Sequence, residues 1–194
     1  EDTLYMCAIR PISVGDRLSI DYVNGFYRCA AARKKDLMYT YSFTCSCPCC
    51  TAGHDPTRAF WCSAKGCSGG AVFCPVVDGD AWTACNACGA LPTEGAVGMF
   101  LTLEDKLAKK DVWTVEQVQA LRRTRRGLHE AHYVYFWALY DMALESAQEF
   151  PDEAAVVFEE LIRVMETYRV TPEVHHENVL LLDRLGQVQA KSGD

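Results

Sequence analysis

The sequence predicts an α+β protein, mainly α, with short strands near its start, cysteine-rich zinc modules in the middle and an antiparallel helical array at its C-terminal end. Three observations carry this expectation. From about residue 100 onward, apolar side chains recur at three- and four-residue steps. Between residues 45 and 92, cysteine and glycine stand where a core would need apolar residues. Ahead of that segment, β-branched and aromatic residues alternate with turn signals.

Taken in order, Leu4 to Ile9 reads as a short strand, Pro11 to Asp16 as a turn and Arg17 to Tyr22 as a second strand. Two short strands cannot close a β-domain, so this segment reads as the end of something whose beginning lies elsewhere. Cys29 to Tyr41 has few breakers and suits a helix. In the next segment Gly66, Gly69, Gly70, Gly79 and Gly89 punctuate the chain, and metal ligation is expected to do much of the folding work. Thr114 with Gln117 resembles a capping box for a helix through Arg126. Tyr133, Phe136, Trp137, Tyr140, Leu144 and Ala147 form one helical stripe, and Ala155, Phe158, Leu161, Ile162, Met165 and Tyr168 form another. Phe150-Pro151-Asp152 separates them, with Pro151 suited to a helix start, and so short a connector predicts antiparallel packing. A further helix is expected from Thr171-Pro172, carrying Val174, Leu181, Leu185 and Val188 inward.

The 194 residues are 49% hydrophobic, enough for a packed core in one large domain or two small ones. No run approaches 18 apolar residues, so no membrane-spanning helix is expected. Glu1-Asp2-Thr3 lacks the basic and apolar regions of a secretory signal. The net charge of −7 argues against coating nucleic acid through its phosphates, and no direct nucleic-acid binding is expected. Nearly all the acidity sits in residues 127–194, which carry 4 basic and 13 acidic side chains.

Eleven cysteines are the most informative feature, and none follows Cys88. An odd count without a secretory signal disfavours a disulfide scaffold and favours metal ligands in a reducing compartment, cytoplasmic or nuclear. Cys62-x4-Cys67 and Cys85-x2-Cys88 match a zinc-ribbon layout, in which two tight turns deliver four thiolates to a tetrahedral ion. Gly66 and Gly89 stand beside the ligands, where positive φ is expected. Cys74 reads as a buried small side chain. Upstream, Cys45-Ser46-Cys47-Pro48-Cys49-Cys50 offers a C-x-C-x2-C set of Cys45, Cys47 and Cys50. A fourth ligand is open among Cys7, Cys29, Cys49, His54 and a residue outside this chain.

Here the sequence resembles a known family. Val14-Gly15-Asp16-Arg17-Leu18-Ser19-Ile20-Asp21-Tyr22 looks like the end of a SET domain, where a strand after a P-x-x-x-G-[DE] turn ends on an active-site tyrosine. Arg33-x3-Leu37-x3-Tyr41-x-Phe43-x-Cys45-x-Cys47-x2-Cys50 resembles the post-SET arm of SMYD-type (SET and MYND) protein lysine methyltransferases, and the acidic helical hairpins resemble that family's TPR-like C-terminal domain. The likeness is specific in the first 50 residues and loose after about residue 100. It implies residues 1–44 as the end of a SET domain, 45–98 as post-SET zinc cluster and zinc ribbon, and 99–194 as a TPR-like helical domain. It further implies a parent enzyme that uses S-adenosyl-L-methionine on histone or other protein lysines, with Tyr22 catalytic, Tyr41 a channel wall and Phe43 a cover on the cofactor. The family's glycine-containing cofactor motif, its N-H-S-C-type motif and a MYND finger are not in this sequence. In such proteins the N-H-S-C cysteine completes the post-SET zinc. This chain alone is therefore expected to be inactive. The competing reading is a non-enzymatic, zinc-stabilised helical module that binds a protein partner.

Other features read as structural. His129-Glu130-Ala131-His132 lacks a third ligand and suits a helix surface, as does His175-His176. Arg122-Arg123-x-Arg125-Arg126 suits a solvated face paired with the acidic helices, and Phe136 and Trp137 suit a core.

Overall fold

The computed structural model describes residues 8, 11–16, 18, 20, 22, 27–110, 112–124, 127–168 and 176–192. Among them are seven α-helices and one two-stranded antiparallel sheet, in the order α1 (Ala30–Tyr41), α2 (Pro48–Thr51), β1 (His54–Trp61), β2 (Ala71–Pro75), α3 (Glu94–Ala108), α4 (Val115–Thr124), α5 (Tyr133–Ser146), α6 (Pro151–Tyr168) and α7 (His176–Ser192). The mainly helical α+β class is thus present. The strands expected over Leu4–Ile9 and Arg17–Tyr22 fall for the most part outside the described residues. The turn between them is present: Asp16 accepts the Ser13 N–H at 2.8 Å, and Gly15 takes φ +94, which a side chain would resist.

The helix expected near Cys29 forms as α1. Its N-cap, Cys29, offers no side-chain bond. The orphan N–H of Ala30 instead donates to Asp55 Oδ2 of β1 at 2.6 Å, while Asp55 Oδ1 accepts from the N–H and hydroxyl of Thr57 at 3.0 and 2.8 Å. A buried carboxylate from the sheet therefore caps a helix that its own sequence leaves uncapped. Just ahead of α1, Tyr27 is buried and stacks on Phe136 of α5 with centroids 3.9 Å apart. Its hydroxyl donates to the Ala131 carbonyl at 3.0 Å, and its own carbonyl accepts from Trp137 Nε1 at 3.3 Å.

β1 pairs with β2 through Ala59–Phe73, Phe60–Val72 and Trp61–Ala71, with a break in register toward His54. Pro56 lies in that break, as a residue with no N–H to give must. On its other edge β1 accepts residues 127–129: Trp61 N–H donates to Gly127, and His129 N–H to Ala59, at 2.8 and 3.1 Å. Phe60, fully buried, meets Phe100 of α3, Trp82 and His132 at centroid distances of 5.0, 5.4 and 4.8 Å. The cysteine-rich segment therefore does not rely on metal alone. Its Ala59, Phe60, Ala71 and Val72 belong to one core with α3, α5, α6 and α7.

The helix ends follow their sequence signals. Thr93 caps α3 through the Ala96 N–H. Thr114 and Gln117 exchange bonds at 3.3 and 3.4 Å at the start of α4, the capping box expected there. α6 begins at Pro151. Glu130 pairs with Arg163 and Tyr140 meets Phe158, so α5 and α6 run antiparallel. α7 packs on α6 with Leu181 and Val188 buried; its expected start at Thr171-Pro172, and Val174, lie outside the described residues. One stripe is corrected. In α5 the buried residues are Val134, Tyr135, Phe136, Ala138, Leu139, Met142 and Ala143, while Leu144 is 37% exposed. The helix is wrapped on most sides, by α3, α4, α6 and Tyr27, so its burial is not confined to a single apolar face.

A second correction concerns the histidines. His129 and His132 are buried, not on a helix surface. His132 is the N-cap of α5 and accepts the Val134 N–H on Nδ1 at 3.2 Å, which leaves the proton on Nε2. Burial holds its imidazole neutral, despite the Glu104 carboxylate beside it. That Nε2 comes within 3.3 Å of Glu104 Oε1, too poorly directed for a full hydrogen bond. Glu104 occupies the i+8 position of the buried Ala96, Phe100 stripe of α3. There it takes a two-pronged bond from Arg58 of β1, at 2.9 and 2.6 Å. Burial alone would raise its pKa, but the nearby His132 imidazole and the Arg58 fork hold it at about 2.

Removing one member of such a pair strands the other charge, so Glu104→Gln should cost about 3 kcal/mol at neutral pH in urea unfolding. A carboxylate depressed on folding stabilises above its unfolded pKa of about 4.3, and the benefit is lost as pH falls through the folded value. The stability gap between wild type and Glu104→Gln should thus be full above about pH 5 and close toward pH 2. A gap independent of pH would show that the pair contributes nothing.

Candidate functional site

The first thiolate cluster sits at the end of the sheet where β1 turns into β2. Cys62 follows β1, and the chain returns to β2 through Cys67, Gly69 and Gly70, with Cys62 N–H donating to the Gly70 carbonyl at 2.9 Å. Cys85 and Cys88 sit on a turn closed by Cys85 N–H to the Ala90 carbonyl and Gly89 N–H to the Cys85 carbonyl, both 2.9 Å. Gly66 and Gly89 take φ of +87 and +73, as their place beside the ligands predicts. The Sγ atoms of Cys62, Cys67, Cys85 and Cys88 all lie within 4.8 Å of one another. Cys62–Cys88 and Cys67–Cys85 are each 3.7 Å apart. A zinc ion with Zn–S bonds of about 2.3 Å sets a tetrahedral S–S edge of about 3.8 Å, so the donor set fits the ion's size and geometry.

The electrostatics agree with the geometry. Amide N–H groups of Ala64 and Ala87 point at Cys62 and Cys85 Sγ at 3.4 Å. N–H groups of Gly69 and Gly70 pull the Cys67 thiol down to about 6. Burial and the neighbouring thiols push Cys62 up to about 12. Four thiolates this close repel one another, and a shared divalent cation is what lets all four ionise together. Cys74, by contrast, is buried in the core, and burial raises its thiol to about 12, as suits a packing residue.

The second cluster lies on a turn. Cys47 is the N-cap of α2 and Pro48 its first residue. The Cys45, Cys47 and Cys50 Sγ atoms lie within 4.8 Å of one another. Burial alone would raise Cys47, but N–H and thiol donors around it, Cys50 N–H foremost, lower it. Burial and the neighbouring Cys47 push Cys50 up to about 12. Among the described residues nothing completes this set: Cys29, Cys49 and His54 do not join it. Cys7 lies outside the described residues.

Beside that turn the structure gathers the three aromatic residues singled out in the sequence. Tyr22 meets Tyr41 and Phe43 edge-on at 5.0 and 5.4 Å, and Tyr41 lies 6.5 Å from Phe43. The patch is open, with Tyr22 and Tyr41 47% and 48% exposed. At the helical end, an open cleft of about 480 Å³ is lined by Trp61, Arg122, Glu130, Glu159, Glu160 and Arg163. Arg122 pairs with Glu160 and Arg163 with Glu130, so much of its charge is satisfied internally. Arg125 and Arg126 lie outside the described residues.

Sequence reasoning missed Arg58, Asp55, Glu104 and the capping role of His132. Glu104 had a legible signal, its register with Ala96 and Phe100. Asp55 had none, because its helix lies 25 residues upstream. In comparisons with known proteins, no family model matches the chain, and no curated protein matches it.

Elemental analysis of the reduced, folded chain should find between one and two zinc ions per molecule, and Cys67→Ser should lower the count by one; a value near zero in folded material would contradict the fit. A methyl group added at Gly70 would sit 2.1 Å from Cys85 Sγ and 2.7 Å from Ala87 Cβ. Gly70→Ala should therefore weaken zinc binding by about 10- to 100-fold in competition with a chromophoric chelator. The same change at Gly53, which has open space around it, should not.

Proposed function

We propose that this chain is the C-terminal part of a SMYD-like, S-adenosyl-L-methionine-dependent protein lysine methyltransferase, with structural zinc at both thiolate clusters and a TPR-like helical domain after them. The observation that carries the reading is the meeting of Tyr22, Tyr41 and Phe43 beside the Cys45–Cys47–Cys50 turn. Tyr22 stands well ahead of Tyr41 and Phe43 in the sequence, and the resemblance assigns all three to the active site.

Lysine methylation is an in-line displacement that needs a deprotonated amine, alignment and a dry channel. The bound cofactor supplies the electrophilic methyl group. Tyr22, through its hydroxyl, would hold the amine lone pair on line. Tyr41 would form a wall of the lysine channel, and Phe43 would cover the cofactor. Thiolates at Cys45, Cys47 and Cys50 would fix the arm that carries Phe43. The parent would act in the cytoplasm or nucleus on a basic segment such as a histone tail of chromatin. The helical end, acidic overall, would wall and cap the substrate cleft, and no nucleic acid or membrane would be needed.

One observation favours the second reading, a zinc-stabilised protein-interaction module. Tyr22 and Tyr41 are half exposed, where a methyl-transfer channel must be dry.

In the intact parent, Tyr22→Phe should lower turnover by roughly two to four decades with zinc content unchanged. This chain alone should bind no S-adenosyl-L-methionine tightly by calorimetry. A parent whose turnover is indifferent to Tyr22→Phe would assign the aromatic patch to the interaction module.

A further inference from the structure

We propose that Cys45, Cys47 and Cys50 form a capture site for trivalent arsenic, an ion that takes three thiolates and asks for no fourth ligand. The inference stands on the geometry of the turn alone and does not depend on the methyltransferase reading.

Among the described residues the turn brings three sulfurs together and no fourth donor. Cys47 caps α2, and its carbonyl accepts from Cys50 N–H, Thr51 N–H and Thr51 Oγ1 at 2.9, 3.0 and 3.0 Å. Cys47 N–H in turn points back at Cys45 Sγ at 3.5 Å. These contacts hold the backbone on which the three Sγ atoms lie within 4.8 Å of one another. Cys49 precedes Cys50 by one residue on α2, about 100° away around the helix, and falls outside the set. Zinc prefers a fourth donor in a tetrahedron. Arsenic(III) makes three bonds and keeps a lone pair where the fourth would be, and its softness suits thiolates. The Cys62–Cys88 site offers four sulfurs and suits zinc better. Cys47 is exposed, which gives an incoming oxyacid a point of first attack.

The step is a substitution without redox change. Arsenous acid, As(OH)3, exchanges three As–O bonds for three As–S bonds. Each thiol proton leaves with a hydroxide as water, and arsenic stays trivalent. Where zinc is already held on these thiolates, it leaves as the aqueous ion, and the three hydroxides take their protons from solvent.

The zinc-loaded chain, kept reduced with a phosphine, is titrated with sodium arsenite and followed by native mass spectrometry and arsenic X-ray absorption. One arsenic with three sulfur neighbours is expected, with the zinc at Cys62, Cys67, Cys85 and Cys88 retained. Cys45→Ser, Cys47→Ser and Cys50→Ser should each weaken arsenite binding by about tenfold or more, since each removes an intramolecular donor. Cys49→Ser and Cys7→Ser should leave it unchanged. Phenylarsine oxide, which takes only two thiolates, should bind Cys45→Ser within a few-fold of wild type, which shows that the variant turn still folds. Retention of no arsenic, an arsenic shell with fewer than three sulfurs, loss of binding in Cys49→Ser, or uptake at the expense of the four-thiolate zinc would each overturn the proposal.

Discussion

A single buried carboxylate governs how the sheet meets the helices. Glu104 points from α3 into the core, where an unpaired charge would not be tolerated. The Arg58 fork of β1 neutralises it, and the His132 imidazole, neutral and capping α5, closes the third side. Since Arg58, Glu104 and His132 come from three different elements, only one relative placement of β1, α3 and α5 satisfies the charge. Phe60 packs against Phe100 and His132 in the same layer, so the apolar contacts and the ion pair select the same arrangement.

The two thiolate clusters relate differently to this core. Cys62, Cys67, Cys85 and Cys88 hang from the strands that supply Phe60 and Val72, and metal there would pin the loops of a sheet whose strands are already packed. Cys45, Cys47 and Cys50 sit on a short stretch between α1 and β1 that includes α2. Arrangement around the second cluster therefore depends more on its own ligands. The same end of the molecule carries the half-exposed Tyr22 and Tyr41 and the more covered Phe43.

Much of the local structure was legible because its causes are local. The capping box of Thr114 and Gln117, Pro151 at the head of α6, the turn at Gly15, and the positive φ at Gly66 and Gly89 each follow from residues within a few positions. The spacing of the four ribbon cysteines is likewise a property of two tight turns, and their sulfurs meet where a tetrahedral ion requires. α6 buries Phe158, Leu161 and Met165 as its period predicts, together with Ala154, Val157 and Val164, between α5 and α7.

Tertiary structure alone decided the rest, because the partners are distant in sequence. Nothing near α1 announces that Asp55 will cap it, and nothing near Tyr27 announces its stack on Phe136. His129 and His132 read as solvent-facing because a histidine pair without a third ligand usually is; the fold buries them by wrapping α5 on most sides, which also erased its single apolar stripe. The sequence by itself determined where α4 and α6 start and which cysteines share a turn, since these rest on backbone geometry over a few residues. Which charge faces which, and which aromatic rings meet, followed only from chain closure over tens of residues, where burial forces every polar group to find a partner wherever the fold has brought one.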